Sequence, residues 1–173
     1  MFETLRRLWR HRWLDERDTR RAIDPELVQR LTRRVRASEQ RHTGEIRLCI
    51  EASLPNSYLL RSGTLSQITR QRALTMFGKL RVWDTEHNNG VLIYLLLAER
   101  AIELIADRGL NRHVTPEQWQ AMVQRMGAAF AAGDFETGLT QALEEVSAML
   151  VQHFPAAEGE RLHNQLPDTP VLR

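Results

Sequence analysis

Hydrophobic positions change their period several times along the chain, and each change marks an element. Leu27, Leu31 and Val35 recur every four residues with Val28 beside them, the stripe of an amphipathic helix. Asp24-Pro25 reads as an N-cap and first helical position, and Thr43-Gly44 is a stop, so the spacing predicts a helix to about His42. "EIRLCIEAS" then alternates, with Ile46, Leu48, Ile50 and Ala52 on one face and Glu45, Arg47, Cys49 and Glu51 on the other. That is a strand with one clearly apolar face.

After a loop from Pro55 to Gly63, Leu65, Ile68, Ala73, Met76, Phe77 and Leu80 return at helical spacing within Thr64–Trp83. A polar connector over Asp84–Asn89 leads into Val91–Ala98, apolar at both parities, the pattern of a central strand covered on both faces. Glu99-Arg100 makes a two-residue hairpin candidate without the usual glycine, and Ala101–Ala106 returns as a strand that stops at Asp107-Arg108-Gly109. Thr115-Pro116-Glu117-Gln118 combines a capping box with Pro at the first helical position. Trp119, Met122, Val123, Met126 and Phe130 mark that helix's buried face until Gly133. Asp134 caps a last helix, striped by Phe135, Leu139, Leu143, Val146, Leu150 and Phe154 and terminated by Pro155.

A helix between the first two strands makes a crossover, and the next two strands pair antiparallel. The economical solution is an α/β fold: a small mixed central β-sheet with helices packed on both faces, an α/β/α sandwich. The chain divides into a basic amphipathic N-terminal segment (1–23), the α/β domain (24–155) and a polar, proline-containing C-terminal tail (156–173) expected to be extended and partly disordered.

Composition narrows the functional classes more than it selects one. The length of 173 residues suits a single domain, and the formal charge of +2 is too small to argue for nucleic acid. Positive charge is almost all arginine; Lys79 is the only lysine. One cysteine, Cys49, excludes an internal disulfide and a cysteine-cluster zinc site. Val91–Ala98 is far shorter than the roughly 20 residues that span a bilayer, and Met1–Arg12 lacks the apolar core of a signal peptide, so a cytoplasmic domain is expected. In residues 1–21, Phe2, Leu5, Leu8, Trp9 and Trp13 fall near one helical face among arginines. The segment reads either as a helix folded back over its own domain or as a peripheral contact with an anionic membrane surface.

"TGEIRLCIEA", "RALTMFGKL", "NNGVLIYLLLAERAIELIADRGL", a tryptophan-bearing helix and "FETGLTQALEEVSAMLVQHFP" occur in this order between Pro25 and Pro155. Together they resemble the TPM domain family, most sharply at Asn89-Gly90-Val91-Leu92-Ile93 and Ala106-Asp107-Arg108-Gly109. The ending "HNQLPDTPVLR" looks like that of short, unanchored family members. The resemblance implies an α/β sandwich and association with repair or assembly of protein complexes. It also implies divalent-cation binding or a weak phosphatase activity, both attributed to parts of the family. Many members carry a signal peptide and a membrane anchor, features expected to be lacking here.

The candidate chemistry gathers at one end of the predicted hairpin. If its two strands pair antiparallel, Asn88 and Asn89 fall beside Asp107 and Arg108, with Asp84 and Glu86 in the adjoining connector. Asp107 is a candidate ligand for a hard cation such as Ca2+ or Mg2+, with Asp84 and Glu86 as further oxygens. Arg108 suits bidentate binding of a carboxylate or phosphate. The alternative is a turn stabilised by Asp107, with Gly109 at positive φ. Glu39, Glu45 and Glu51 read by default as solvated or ion-paired carboxylates. His87 and His113 flank the edge, but no histidine pair has metal-ligand spacing, and no P-loop, nucleophile elbow or dinucleotide fingerprint is present.

The expected function is therefore a non-catalytic module with a binding site at Asn88, Asn89, Asp107 and Arg108, a divalent cation held by Asp107, Asp84 and Glu86, and a role with a protein partner in complex assembly or maintenance. It needs no organic cofactor and no specific nucleic acid. The alternative is a metal-assisted phosphomonoesterase, with Asp107 holding the ion and Arg108 the phosphate. A further alternative is a membrane-surface adaptor acting through the arginine-rich N-terminus.

Overall fold

A computed structural model of the chain describes His11, residues 16–159 and residues 163–173. Helices α1 (Glu16–Ala22) and α2 (Pro25–Glu39) lead into strand β1 (Ile46–Glu51), the short α3 (Asn56–Leu59) and α4 (Leu65–Lys79). Strands β2 (Val91–Leu96) and β3 (Ala101–Ala106) follow, then α5 (Arg108–Asn111), α6 (Pro116–Ala132), α7 (Phe135–His153) and the two-residue β4 (Val171–Leu172).

The sheet has the order β3-β2-β1-β4, with β2 antiparallel to β3 and β1 parallel to both β2 and β4. One face carries α2, α6 and α7, whose Leu31, Met126 and Leu143 pack on Ile46, Val91 and Leu104. The opposite face carries α4, whose Ile68, Ala73 and Met76 pack on Cys49, Leu92, Tyr94 and Ile105. Every residue of β2 is 0% exposed, which explains its apolarity at both parities. The α/β sandwich read from the hydrophobic pattern is the fold observed.

Local chemistry sets the helix ends. Asp24 accepts the Leu27 N–H at 2.7 Å, and Thr64 and Thr115 each form a capping box with the glutamine three residues on. Gly133 closes α6 with φ 80°. Two ends fall short of the patterned expectation: α2 stops at Glu39 and α4 at Lys79. Beyond α2, His42 is buried, held by Ser38 Oγ at 2.8 Å and by the Gly44 carbonyl at 3.0 Å.

The hairpin connection also differs from the two-residue turn. β2 ends at Leu96, a 3-10 turn covers Leu97–Glu99, and Arg100 takes the left-handed conformation with φ 50°. The Ala98 N–H leaves the ladder to donate to the Ala52 carbonyl at 2.9 Å.

Both ends of the expected domain are tied into it. Ile23 lies in the core, and the Thr19 hydroxyl donates to the Arg173 carbonyl at 2.8 Å, so residue 23 is not a structural boundary. His11 is buried, accepting the Leu54 N–H at Nδ1 (3.0 Å) and standing 3.0 Å from Glu99 through Nε2. The rest of residues 1–15 lies outside the described residues. The tail does not trail away over 163–173: Arg47 donates to the Pro167 and Thr169 carbonyls, Leu166 is buried, and β4 adds to the free edge of β1.

Candidate functional site

Pairing of β2 with β3 brings the predicted residues to one end of the sheet. The Asp107 N–H donates to the Gly90 carbonyl at 2.9 Å and the Gly109 N–H to the Asn88 carbonyl at 2.8 Å, extending the ladder past the strand ends. Asn88 adopts φ 53°, a left-handed conformation that asparagine tolerates, and its Oδ1 accepts Arg108 Nε at 2.9 Å. Gly109 is required for close approach and not for a positive φ. A Cβ there would stand 2.7 Å from the His87 carbonyl and nearer still to that of Asn88.

Asn89 and Asp107 are the buried members of this group, 0% and 9% exposed. The Asn89 N–H donates to Thr85 Oγ1 at 3.1 Å and its side-chain amide to Thr43 Oγ1 at 3.2 Å. Asp107 caps α5, its Oδ1 accepting the Arg108 N–H at 2.7 Å. The remaining oxygens, Asn89 Oδ1 and Asp107 Oδ2, are buried and have no hydrogen-bond partner among the described residues. A buried polar atom without a partner costs about 1–3 kcal/mol, so two at one end of a well-packed sheet require a reason.

The other proposed oxygens are placed differently. Asp84 Oδ2 accepts Arg81 Nη2 at 2.5 Å on the exposed surface. Glu86 lines a neighbouring cavity of about 160 Å3 with His87, Thr43, Glu39, Glu45 and Gln165. His113 stacks on His153 with ring centroids 4.8 Å apart, so it belongs to helix packing.

That cavity gathers acidic groups that no local pattern connects. Glu45 is 3% exposed, its carboxylate accepting the Gln165 and Leu166 N–H groups at 3.0 and 3.1 Å. Glu39 accepts the Ile46 N–H at 2.9 Å, and burial pushes its carboxyl up to about 8, with Glu45 and Asp168 adding negative charge nearby. Burial also raises Glu45 and lowers His42 to about 4. The one signal for this was the polar face of β1, because an interior strand needs partners for both faces. Those partners come from α2 and the distant tail, which no local pattern connects.

Among the described residues no group of three or more His, Cys, Asp or Glu side chains is arranged to hold a metal ion. Any cation at the β2–β3 end would therefore rest on one carboxylate, amide and carbonyl oxygens, and water. An all-oxygen set with a single charge suits Ca2+ or Mg2+ and not a soft or transition metal. Asn89 Oδ1 and Asp107 Oδ2, each without another partner among the described residues, are oxygens of the kind such an ion takes.

A family model described as TPM domain matches residues 17–149. No curated protein matches the chain. Among solved structures, the NMR structure of the BA42 protein from the psychrophilic bacterium Bizionia argentinensis is similar, at 25% identity and TM-score 0.66. The similarity covers 83% of this chain and 90% of that one. The N-terminal domain of a P. gingivalis protein shares the fold at 19% identity and TM-score 0.50, over 72% of this chain and 75% of that one. Among the described residues no helix is long and apolar enough to cross a membrane.

Proposed function

Since the chain belongs to the TPM domain family, we propose that it is a non-catalytic module that binds a divalent cation at the Asn88–Asp107 end of its sheet. It acts, in this reading, in the assembly or maintenance of a protein complex. The observation that carries the cation is that two oxygens at this end of the sheet, Asn89 Oδ1 and Asp107 Oδ2, are buried and unpartnered, on residues flanking the Gly90–Asp107 ladder bond. Asn88 and Arg108 hold each other beside them and steady the two loops. With one carboxylate in the set, affinity falls at the weak end of oxygen sites, on the order of 10⁻⁴–10⁻³ M.

The phosphomonoesterase alternative has less support. Asp107 Oδ1 is committed to the Arg108 N–H, Arg108 Nε to Asn88 and Asp84 to Arg81, Glu86 lines the neighbouring cavity, and among the described residues no group of three or more His, Cys, Asp or Glu side chains is arranged to hold an ion. The membrane-surface alternative falls on N-terminal residues outside the described ones.

Thermal unfolding with and without Ca2+ or Mg2+ tests the reading. At tenfold excess over Kd the ion stabilises by about 1.4 kcal/mol, a rise of roughly 3–6 °C in Tm for a domain of this size. The rise is expected to vanish in Asp107→Asn. An equal rise in that variant, or none with any divalent ion, contradicts the proposal.

A further inference from the structure

The sheet has two edges, and the chain closes one of them itself. At β1 the tail lies alongside as β4, with the Arg173 N–H donating to the Ile50 carbonyl at 2.9 Å. The other edge, β3, has no strand on its outer side among the described residues. Because the Asp107 N–H points to β2, residues 101, 103 and 105 turn their backbone groups inward, and residues 102, 104 and 106 turn theirs outward. Side chains meet two of those outward carbonyls: Arg70 Nη1 donates to Leu104 at 2.8 Å and Asn111 Nδ2 to Ala106 at 2.8 Å. No acceptor faces the outward N–H groups of Ile102 and Leu104 among the described residues.

This edge is the floor of a groove of about 1020 Å3 walled by α4 and α6. A second hollow of about 340 Å3 continues it along β3 toward Ile102, sharing Ser66, Glu103 and Val123 with the first. The walls present Gln67, Gln71, Gln120 and Gln124, amides suited to a peptide backbone, beside the apolar surfaces of Trp119 and Val123. Charge is balanced, since Arg70 pairs with Glu103 at 3.1 Å. Thr69, 1% exposed, lines the second hollow, and its hydroxyl has no partner.

We propose that the β3 edge is a strand-addition site for an extended, uncharged peptide of a protein partner. The peptide pairs its backbone with Ile102 and Leu104 and sets alternate apolar side chains against Trp119 and Val123. Three features argue for this occupant: the outward N–H groups of Ile102 and Leu104 without an acceptor among the described residues, a groove with neutral amide walls, and the chain's own tail as an extended segment already accepted at the opposite edge. Six residues of β3 offer a span of about 20 Å. The inference rests on the interaction half of the proposed function and is independent of the cation.

The test uses the full chain in chelator, so that loss of a cation cannot mimic loss of binding. The probe is a capped synthetic peptide alternating threonine and valine, followed by amide NMR. The expected result is chemical-shift change confined to β3, α4 and α6, with slowed exchange of the Ile102 and Leu104 amides. The same peptide N-methylated at alternate residues loses roughly tenfold or more in affinity. Gly127 lines the second hollow beside Ile102, and a Cβ there meets nothing within 4 Å, so Gly127→Trp directs its ring into that hollow from the open face of α6. It is expected to remain folded and to abolish binding. No shift change at β3, equal binding of the N-methylated peptide, or undiminished binding by Gly127→Trp overturns the proposal. So does protection of Ile102 and Leu104 that rises with protein concentration alone, which assigns the edge to a second copy of the chain.

Discussion

Two buried polar clusters sit on the same sheet and differ in completeness. On the α4 face, Glu51 receives Tyr94 Oη at 2.6 Å and both Nε and Nη2 of Arg72, at 2.8 and 2.5 Å. Both members of that ion pair are nearly inaccessible, with side chains 5% and 6% exposed, and each carboxylate oxygen has a donor. At the end of β2 and β3, by contrast, Asn89 and Asp107 each keep one buried oxygen with no donor. A satisfied cluster specifies packing and asks for nothing further. An unsatisfied one requires a reason, which the proposed function supplies as a bound cation.

The largest effect that separates the two is expected from Glu51→Ala. Removing the carboxylate leaves Arg72 charged and buried and Tyr94 without an acceptor, at a cost of about 3–5 kcal/mol. Urea unfolding measures it, and the cation response should survive in whatever fraction remains folded. A loss below about 1 kcal/mol would mean that the cluster is open to water and the contrast is false.

Gly109→Ala strikes the incomplete cluster through its backbone. A Cβ at this position presses on the Asn88 and His87 carbonyls, and the loops must part at a cost of about 1–3 kcal/mol. Stability and cation response are expected to fall together. Loss of stability with cation binding intact would separate Asn88 from the site.

The acidic cavity beside Thr43 predicts a pH dependence. The folded protein keeps the Glu39 proton from 4.5 up to about 8, where the unfolded chain has released it, so stability falls as pH rises through that window. His42 acts oppositely: burial keeps it neutral down to about 4, whereas the unfolded chain takes up a proton below 6.5. Between 4.5 and 6.5 the two oppose each other; from 6.5 to 8 only the carboxyl contributes. Over that upper interval stability is expected to drop by up to about 1.4 kcal/mol per pH unit, and Glu39→Gln flattens the drop. An unchanged slope in the variant assigns it to another group.

The smallest stability effect belongs to Asp107→Asn without cation. It keeps an oxygen for the Arg108 N–H and removes a buried charge that has one unpartnered oxygen, so the change is expected within about ±0.5 kcal/mol.

How much of this was legible depended on whether the determinants were local. The helix starts at Asp24, Thr64, Thr115 and Asp134 were readable because caps act within three residues. The meeting of Asn88 with Arg108 followed from antiparallel pairing of two strands adjacent in sequence. The embrace of Glu45 and Arg47 by residues 165–169 spans roughly the length of the domain and leaves no periodic trace. Composition alone made that tail look free, because its contacts to Glu45 and Arg47 are made by backbone carbonyls and N–H groups. Asp84 was read as a ligand by proximity, but its neighbour three residues back, Arg81, takes its carboxylate.

Where a divalent ion settles on the chain is the decisive measurement. Adding substoichiometric Mn2+ to the labelled chain and recording amide line widths locates it without presuming a function. The result predicted is broadening centred on Asn89, Gly90, Asp107 and Arg108, reversed by excess Mg2+ or Ca2+ and absent in Asp107→Asn. Broadening centred on Glu39, Glu45 and Asp168, or spread evenly over surface carboxylates, would contradict it.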